Sequence, residues 1–218
     1  MPWSWVRFPP RPPQFYKKAP PVHLPKLTLR RKILLLVVLP LTLAIYLIQD
    51  HFIEDGNFDI AVPGTVYRSA TLSHHEWKEV YRKHLFKSVI NLRGESPAAD
   101  WYRNETASSA RNGIDFYSLK LSANRQPDIT TMETLVEMMR AAPKPVLIHC
   151  MQGADRTGLA LALYSYAIEG QPATVAASRN LSILFGHFPW LASRTGAMDK
   201  AFAAYVQAHP QTPAVPHV

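Results

Sequence analysis

The stretch 146-VLIHCMQGADRTG-158 joins an apolar run to the chain's one cysteine, with a glycine three residues after it and an arginine six residues after it. Pro145–His149 has nothing polar before its end, the pattern of a central strand in a parallel sheet. Leu159–Ile168 is apolar almost all round, the pattern of a helix buried in a core. Strand, glycine-containing loop and helix in this order present backbone N–H groups at a helix N-terminus, which is an anion site. Gly153 permits the turn and Gly158 permits close packing of the helix. Arg156 adds a planar fork suited to two oxygens of a phosphate. The same positive field favours thiolate over thiol at Cys150. One loop can therefore hold an oxyanion and attack it.

Outward from this stretch, strands alternate with helices, so the fold class is α/β. Thr65–Arg68, Ser88–Leu92 and Ile114–Leu121 read as further strands. Ser73-His74-His75-Glu76 has the spacing of a capping box and opens a helix through Leu85. Ala99–Asn112 is a second helix, closed by Gly113. Thr130-x-x-Glu133 is a second capping box, opening a helix through Ala141. Two more helices are expected near 172–185 and 196–208. The expected architecture is a central, mostly parallel sheet flanked by helices.

The chain has 218 residues, 47% of them hydrophobic, enough for one domain with its own core plus extensions. Its formal net charge is +8, but the excess is local. Eight of the 24 Lys/Arg fall in residues 1–32, which leaves sixteen to balance all sixteen Asp/Glu from residue 33 onward. A nucleic-acid partner asks for a basic face on a folded module, so this distribution argues against nucleic acid. A single cysteine excludes an intrachain disulfide.

Residues 1–32 also hold eight of the 19 prolines and no apolar periodicity, so this arm is expected to be extended or disordered. Ile33–Ile48, ILLLVVLPLTLAIYLI, carries no charge. Basic residues precede it and Asp50, Glu54 and Asp55 follow, so it reads as a membrane anchor with the arm in the cytoplasm. A signal peptide would need a small-residue cleavage site, which QDHFIEDGNFDIAVPG does not offer. A buried core helix would usually show a polar face. The expected division is a basic proline-rich arm at 1–32, one transmembrane helix at 33–49, a linker at 50–57, the folded domain at 58–209 and a disordered tail at 210–218. The expected location is a bacterial inner membrane, single-pass, with the domain facing the periplasm.

HCMQGADRTG resembles the H-C-x5-R-[ST]-G signature of the cysteine-dependent protein tyrosine and dual-specificity phosphatases. VYRSA at Val66–Ala70 and VINLRGES at Val89–Ser96 look like early segments of bacterial and fungal dual-specificity-type members. The resemblance covers residues 58–190. It implies a dual-specificity phosphatase-like fold and phosphomonoester hydrolysis through a phosphocysteine intermediate, with no metal or other cofactor. It makes Cys150 the nucleophile and Arg156 the phosphate ligand. His149 would order the loop, and Thr157 would assist departure of the thiolate. Met151, Gln152, Gly153, Ala154 and Asp155 would contribute mainly backbone N–H groups.

Family members usually place an acidic proton donor on the loop that here reads SANRQPD, and the matching position holds Arg125. Asp128 is close by, but it also suits a helix cap before Thr130. Asp155 precedes the phosphate-binding arginine, as the proposed acid does in myotubularins and some bacterial lipid-active members. It ranks above Asp128. Arg68 and Arg93 follow strands and suit either the cleft wall or structural salt bridges. Trp101, Tyr102 and Phe185 suit core or cleft wall. The His74-His75 doublet lacks the further ligands a metal would need.

A linker of nine residues, counted from Gln49 to Asn57, reaches at most about 30 Å and would hold the site near a bilayer. That favours a phosphorylated lipid over a phosphoprotein substrate. Residues 151 and 154 are not lysine, which argues against polyphosphorylated inositides. A non-catalytic phosphate-binding module and a sulfurtransferase are the competing classes. Intact Cys150 and Arg156 oppose the first, and the set His149, Arg156 and Thr157 opposes the second.

Overall fold

The structure is a computed structural model and describes residues 28–49, 56–188 and 196–211. The chain divides into two compact units, Met1–Thr42 and Leu43–Val218. Most of the arm, the linker from 50 to 55 and the tail from 212 lie outside the described residues.

Helix α1 spans Leu29–Gln49, with Pro40 inside it. Arg30, Arg31 and Lys32 occupy its first turn, where the helix dipole disfavours cations. Among the described residues no helix is long and apolar enough to cross a membrane, so the expected transmembrane helix at 33–49 is not found. The physical reason is length. The apolar run Ile33–Ile48 is sixteen residues, about 24 Å of helix at about 1.5 Å per residue, against a hydrocarbon core of about 30 Å.

The folded domain is built on a five-stranded sheet. In chain order its elements are β1 (Asp59–Val62), β2 (Val66–Ser69), α2 (His74–His84), β3 (Ser88–Asn91), α3 (Asp100–Arg111), β4 (Asp115–Ser118), α4 (Ile129–Ala141), β5 (Val146–His149), α5 (Asp155–Ala167), α6 (Ala173–Asn180) and α7 (Gly196–Ala208), with a 3-10 turn at Ile183–Phe185 before α7. The spatial order is β1-β2-β5-β3-β4. All pairs are parallel except β1 with β2. The central, mostly parallel sheet is as expected, and β5 is its middle strand. The antiparallel edge strand β1 is an addition that the sequence pattern did not show.

Alternation along the strands divides the core in two. Val66, Ile90, Val146 and Ile148 face one side, where they pack with α4, α5 and α7 through Leu135, Met139, Leu159, Leu163 and Phe202. Tyr67, Val89 and Leu147 face the other, against Trp77, Phe86 and Ile114. Ten of the thirteen residues of α5 are buried, so its nearly uniform apolarity reflects cover on all sides. Each fully buried leucine there contributes about 2 kcal/mol of burial free energy.

The capping box of α2 is present. Glu76 N–H donates to Ser73 Oγ and Ser73 N–H donates to Glu76 Oε2. The expected box at Thr130 and Glu133 is not formed. Helix α4 begins at Ile129, and its N-cap is Asp128, which accepts from Thr131 N–H at 2.7 Å. Asp128 captures the exposed donor two residues earlier than Thr130 could. The helices expected near 172–185 and 196–208 are α6 with the 3-10 turn, and α7.

Candidate active site

Strand β5 delivers Cys150 to the mouth of a turn that ends at the first residue of α5. Cys150 is buried. The turn is shaped from outside by hydrogen bonds to its carbonyls. The Cys150 carbonyl accepts from Thr71 Oγ1 (2.9 Å) and from His149 Nδ1–H (3.3 Å). The Met151 carbonyl accepts from Thr71 N–H (3.3 Å), and the Gln152 carbonyl from Asn57 Nδ2 (2.8 Å). The Gly153 carbonyl accepts from Arg68 Nη2 (2.8 Å). With these successive carbonyls drawn outward, the peptide N–H groups turn to the other side. Ala154, the N-cap of α5, makes no side-chain capping bond, and the first turn of any helix leaves N–H groups without intrahelical acceptors. Those free donors are what an anion needs.

The two glycines have the roles their positions suggested. Gly153 has φ +71°, and a Cβ there would lie 2.7 Å from the Ser69 carbonyl carbon and the Ala70 nitrogen. A Cβ on Gly158 would lie 2.7 Å from the Asn180 carbonyl oxygen, where α5 meets α6.

Arg156 reaches back across the loop. Its Nη1 lies 3.5 Å from the Leu92 carbonyl and 3.4 Å from that of Leu121, and its buried Nε has no partner among the described residues. Thr157 is fully buried, and its hydroxyl is likewise without a partner among the described residues. His149 is buried beneath the loop. Its Nδ1–H bond to the Cys150 carbonyl turns Nε2 toward Glu105 Oε1, 3.0 Å away.

Arg68 and Arg93 form no salt bridge among the described residues. Arg68 is buried with its guanidinium 3.5 Å from the Phe185 ring centroid, and burial lowers its pKa to about 10 against the attraction of Asp59 and Cys150. Arg93 stacks 3.6 Å from the Trp101 centroid, and its Nη1 donates to Thr71 Oγ1 at 2.9 Å. Burial and then repulsion from Arg156 lower its pKa, opposed by Glu105 and Cys150. Trp101 and Phe185 are thus supports for cations. Tyr102 packs edge-on against Phe116.

The two carboxylates considered as acids are both engaged. Asp128 is exposed, and its hydrogen bonds from Thr131 lower its pKa. Asp155 is the first residue of α5, and its Oδ1 accepts from His187 Nδ1–H at 2.7 Å. The other ring nitrogen of His187 donates to Asp199 Oδ2 of α7 at 3.0 Å. Sequence reasoning missed Asn57, Thr71, Glu105 and His187. No local pattern marks them, because they reach the loop from distant segments.

The profile of the tyrosine phosphatase family matches residues 61–185, more than half of the chain, a span that contains Cys150 and Arg156. The chain belongs to the tyrosine phosphatase family. The inositol diphosphatase SIW14 of Saccharomyces cerevisiae is 27% identical over 119 residues, 52% of this chain and 40% of that protein, so the match spans less than half of that relative. Solved structures share the fold. The crystal structure of P. aeruginosa TpbA has a TM-score of 0.51 at 22% identity, covering 66% of this chain and 85% of that one. The core catalytic domain of the S. cerevisiae PP-IP phosphatase SIW14, in complex with citrate, has 0.51 at 21%, covering 71% and 94%. A putative phosphatase from Shewanella putrefaciens CN-32 has 0.52 at 14%, covering 73% and 99%.

Proposed function

We propose that this phosphatase hydrolyses phosphomonoesters through a phosphocysteine intermediate and prefers aryl phosphates, the phosphotyrosine class, to alkyl phosphates. In the first step the Cys150 thiolate attacks phosphorus while Arg156 and the loop N–H groups hold the phosphoryl oxygens. The P–O bond to the leaving group breaks, and the departing oxygen takes its proton from solvent water. Water then attacks the phosphocysteine, the S–P bond breaks, and the Thr157 hydroxyl supports the departing thiolate.

The observation that carries the preference is the engagement of both candidate acids. Asp128 caps α4, and Asp155 is held by His187. A phenol, with a pKa of about 10, leaves with far less protonation than an aliphatic alcohol. The lipid expectation drew on a membrane span, and no such span is found among the described residues.

A lipid phosphate remains the second reading, supported by exposed apolar side chains beside the loop. Met151 is 56% exposed and Leu184 is 72% exposed. Asn57 links the two segments by donating to both the Gln152 and Phe185 carbonyls. In that reading the chain resides at a membrane.

The test compares kcat/KM of the full chain on phosphotyrosine peptides and on a glycerophospholipid phosphate in mixed micelles. The aryl reading expects the peptides to be favoured by about tenfold or more. Faster turnover of the lipid phosphate would replace it with the second reading.

A further inference from the structure

His187 is buried completely, yet it is bracketed by two carboxylates from different helices. Asp155 belongs to the first turn of α5 and is 14% exposed; Asp199 belongs to α7 and is 43% exposed. A carboxylate oxygen only accepts, so both ring nitrogens must donate, and only the imidazolium form carries both hydrogens. Burial opposes that charge, but the hydrogen bonds and charges of Asp155 and Asp199 outweigh it and raise the pKa of His187 above its ordinary 6.5. Among the described residues, these two carboxylates are the charged groups that face it.

The place of this triad in the collar gives it meaning. Thr71, Asn57 and Arg68 tie the loop by its backbone, from Cys150 to Gly153. None of them reaches the junction with α5. Ala154 there has φ −92° and ψ −89° and no capping side chain. Asp155 supplies the next anchor through its side chain, immediately before Arg156. We propose that His187 is a positioning residue of the phosphate-binding loop, which holds Asp155 against Asp199 and so fixes the first turn of α5 and the arginine that follows. In this role Asp155 is a structural carboxylate, not the proton donor. The inference rests on the phosphatase reading of the same loop.

The role predicts how activity depends on pH. As pH rises through the raised pKa of His187, the ring loses one of its two donated hydrogens and one carboxylate is released. Phosphate affinity and kcat/KM should then fall together on the alkaline side. Asp199→Asn removes one of the two stabilising charges and should move that fall to lower pH.

The experiment uses the full chain with para-nitrophenyl phosphate as substrate and inorganic phosphate as competitor. His187→Phe should weaken phosphate binding and lower kcat/KM by about ten- to a hundredfold, equally for good and poor leaving groups. His187→Gln, which still offers one donor to Asp155, should recover part of the loss. If His187→Phe is folded and keeps wild-type phosphate affinity and kcat/KM, the inference is wrong. A loss confined to poor leaving groups would also overturn it, because Asp155 would then be donating a proton. If His187→Phe does not fold, Asp199→Asn decides: an unmoved alkaline limb overturns the proposal. Wild-type protein that turns over no phosphomonoester would instead sink the catalytic reading, while its phosphate affinity would still report on His187.

Discussion

Thr71 and Cys150 stand 79 positions apart, yet the threonine hydroxyl donates to the cysteine carbonyl at 2.9 Å. The sheet explains the meeting. Strands β2 and β5 run parallel with Ser69 opposite His149, so the residues just beyond each strand emerge side by side. Thr71 is also the acceptor for Arg93 Nη1 at 2.9 Å, so one hydroxyl joins a second cation to the backbone of the expected nucleophile.

Thr71→Val keeps the shape of the side chain and removes both hydrogen bonds. It should cost about 1–3 kcal/mol of stability or transition-state stabilisation. The expected signature is a lower kcat on para-nitrophenyl phosphate with a lesser change in KM, because the thiolate is displaced relative to a phosphate still held by Arg156. Steady-state kinetics with a parallel thermal melt would separate the two losses. Unchanged kcat and an unchanged melt would show that the relay has no role.

Cys150 and Arg156 should separate chemistry from binding. Cys150→Ser should abolish turnover by orders of magnitude while retaining vanadate or phosphate binding, since the collar and the arginine remain. Arg156→Ala should damage both, because the fork and its buried donor are gone. Substantial turnover by Cys150→Ser would end the thiol mechanism.

The parts of this site that were legible in the sequence are those that local chemistry encodes. Pro145–His149 could be read as a central strand because nothing polar interrupts it, and Leu159–Ile168 as a buried helix because no face of it is polar. Gly153 and Gly158 could be assigned their roles because a turn and a close crossing each need a residue without Cβ. The edge strand Asp59–Val62 was not legible, being four residues long with no fully buried position, which leaves no alternation to detect. At α4 two capping signals overlapped, and Asp128 prevailed over Thr130. The collar could not have been found locally. Asn57, Arg68 and His187 act on Gln152, Gly153 and Asp155 across separations of 95, 85 and 32 residues. Only the strand order brings them together.

Gly153→Ala tests whether the turn tolerates any side chain. The residue has positive φ, and the new methyl would meet the backbone of Ser69 and Ala70, which cannot swing aside. The combined conformational and steric cost is about 2–5 kcal/mol. The expected outcome is a large drop in phosphate affinity with a lower melting temperature. Wild-type affinity and stability would show that the loop adapts freely.

The acid question turns on leaving groups. If both carboxylates are structural, Asp155→Asn and Asp128→Asn should each leave the dependence of kcat/KM on phenol pKa unchanged. Asp128→Asn should be nearly silent, because asparagine also caps a helix. A selective loss on alkyl phosphates in one variant, with acidic phenols spared, would identify that residue as the proton donor and restore the lipid phosphate to first place.

Stability should show the same buried histidine that the loop depends on. The folded-state pKa of His187 is raised, with burial opposing the charge and Asp155 and Asp199 prevailing. In the unfolded chain the ring returns to a pKa near 6.5. The folded protein therefore binds this proton more tightly, and the stabilisation is fully present below about pH 6.5. It is lost as pH rises through the folded value, where the folded ring also gives up its proton. Urea midpoints of the wild type and of His187→Gln should consequently differ most near pH 6 and converge on the alkaline side. The glutamine side chain does not titrate, so its own midpoint should vary less over this range. A difference that stays constant from pH 6 to pH 9 would mean that His187 supports the junction by packing alone, and that its charge plays no part in holding Asp155 beside Arg156.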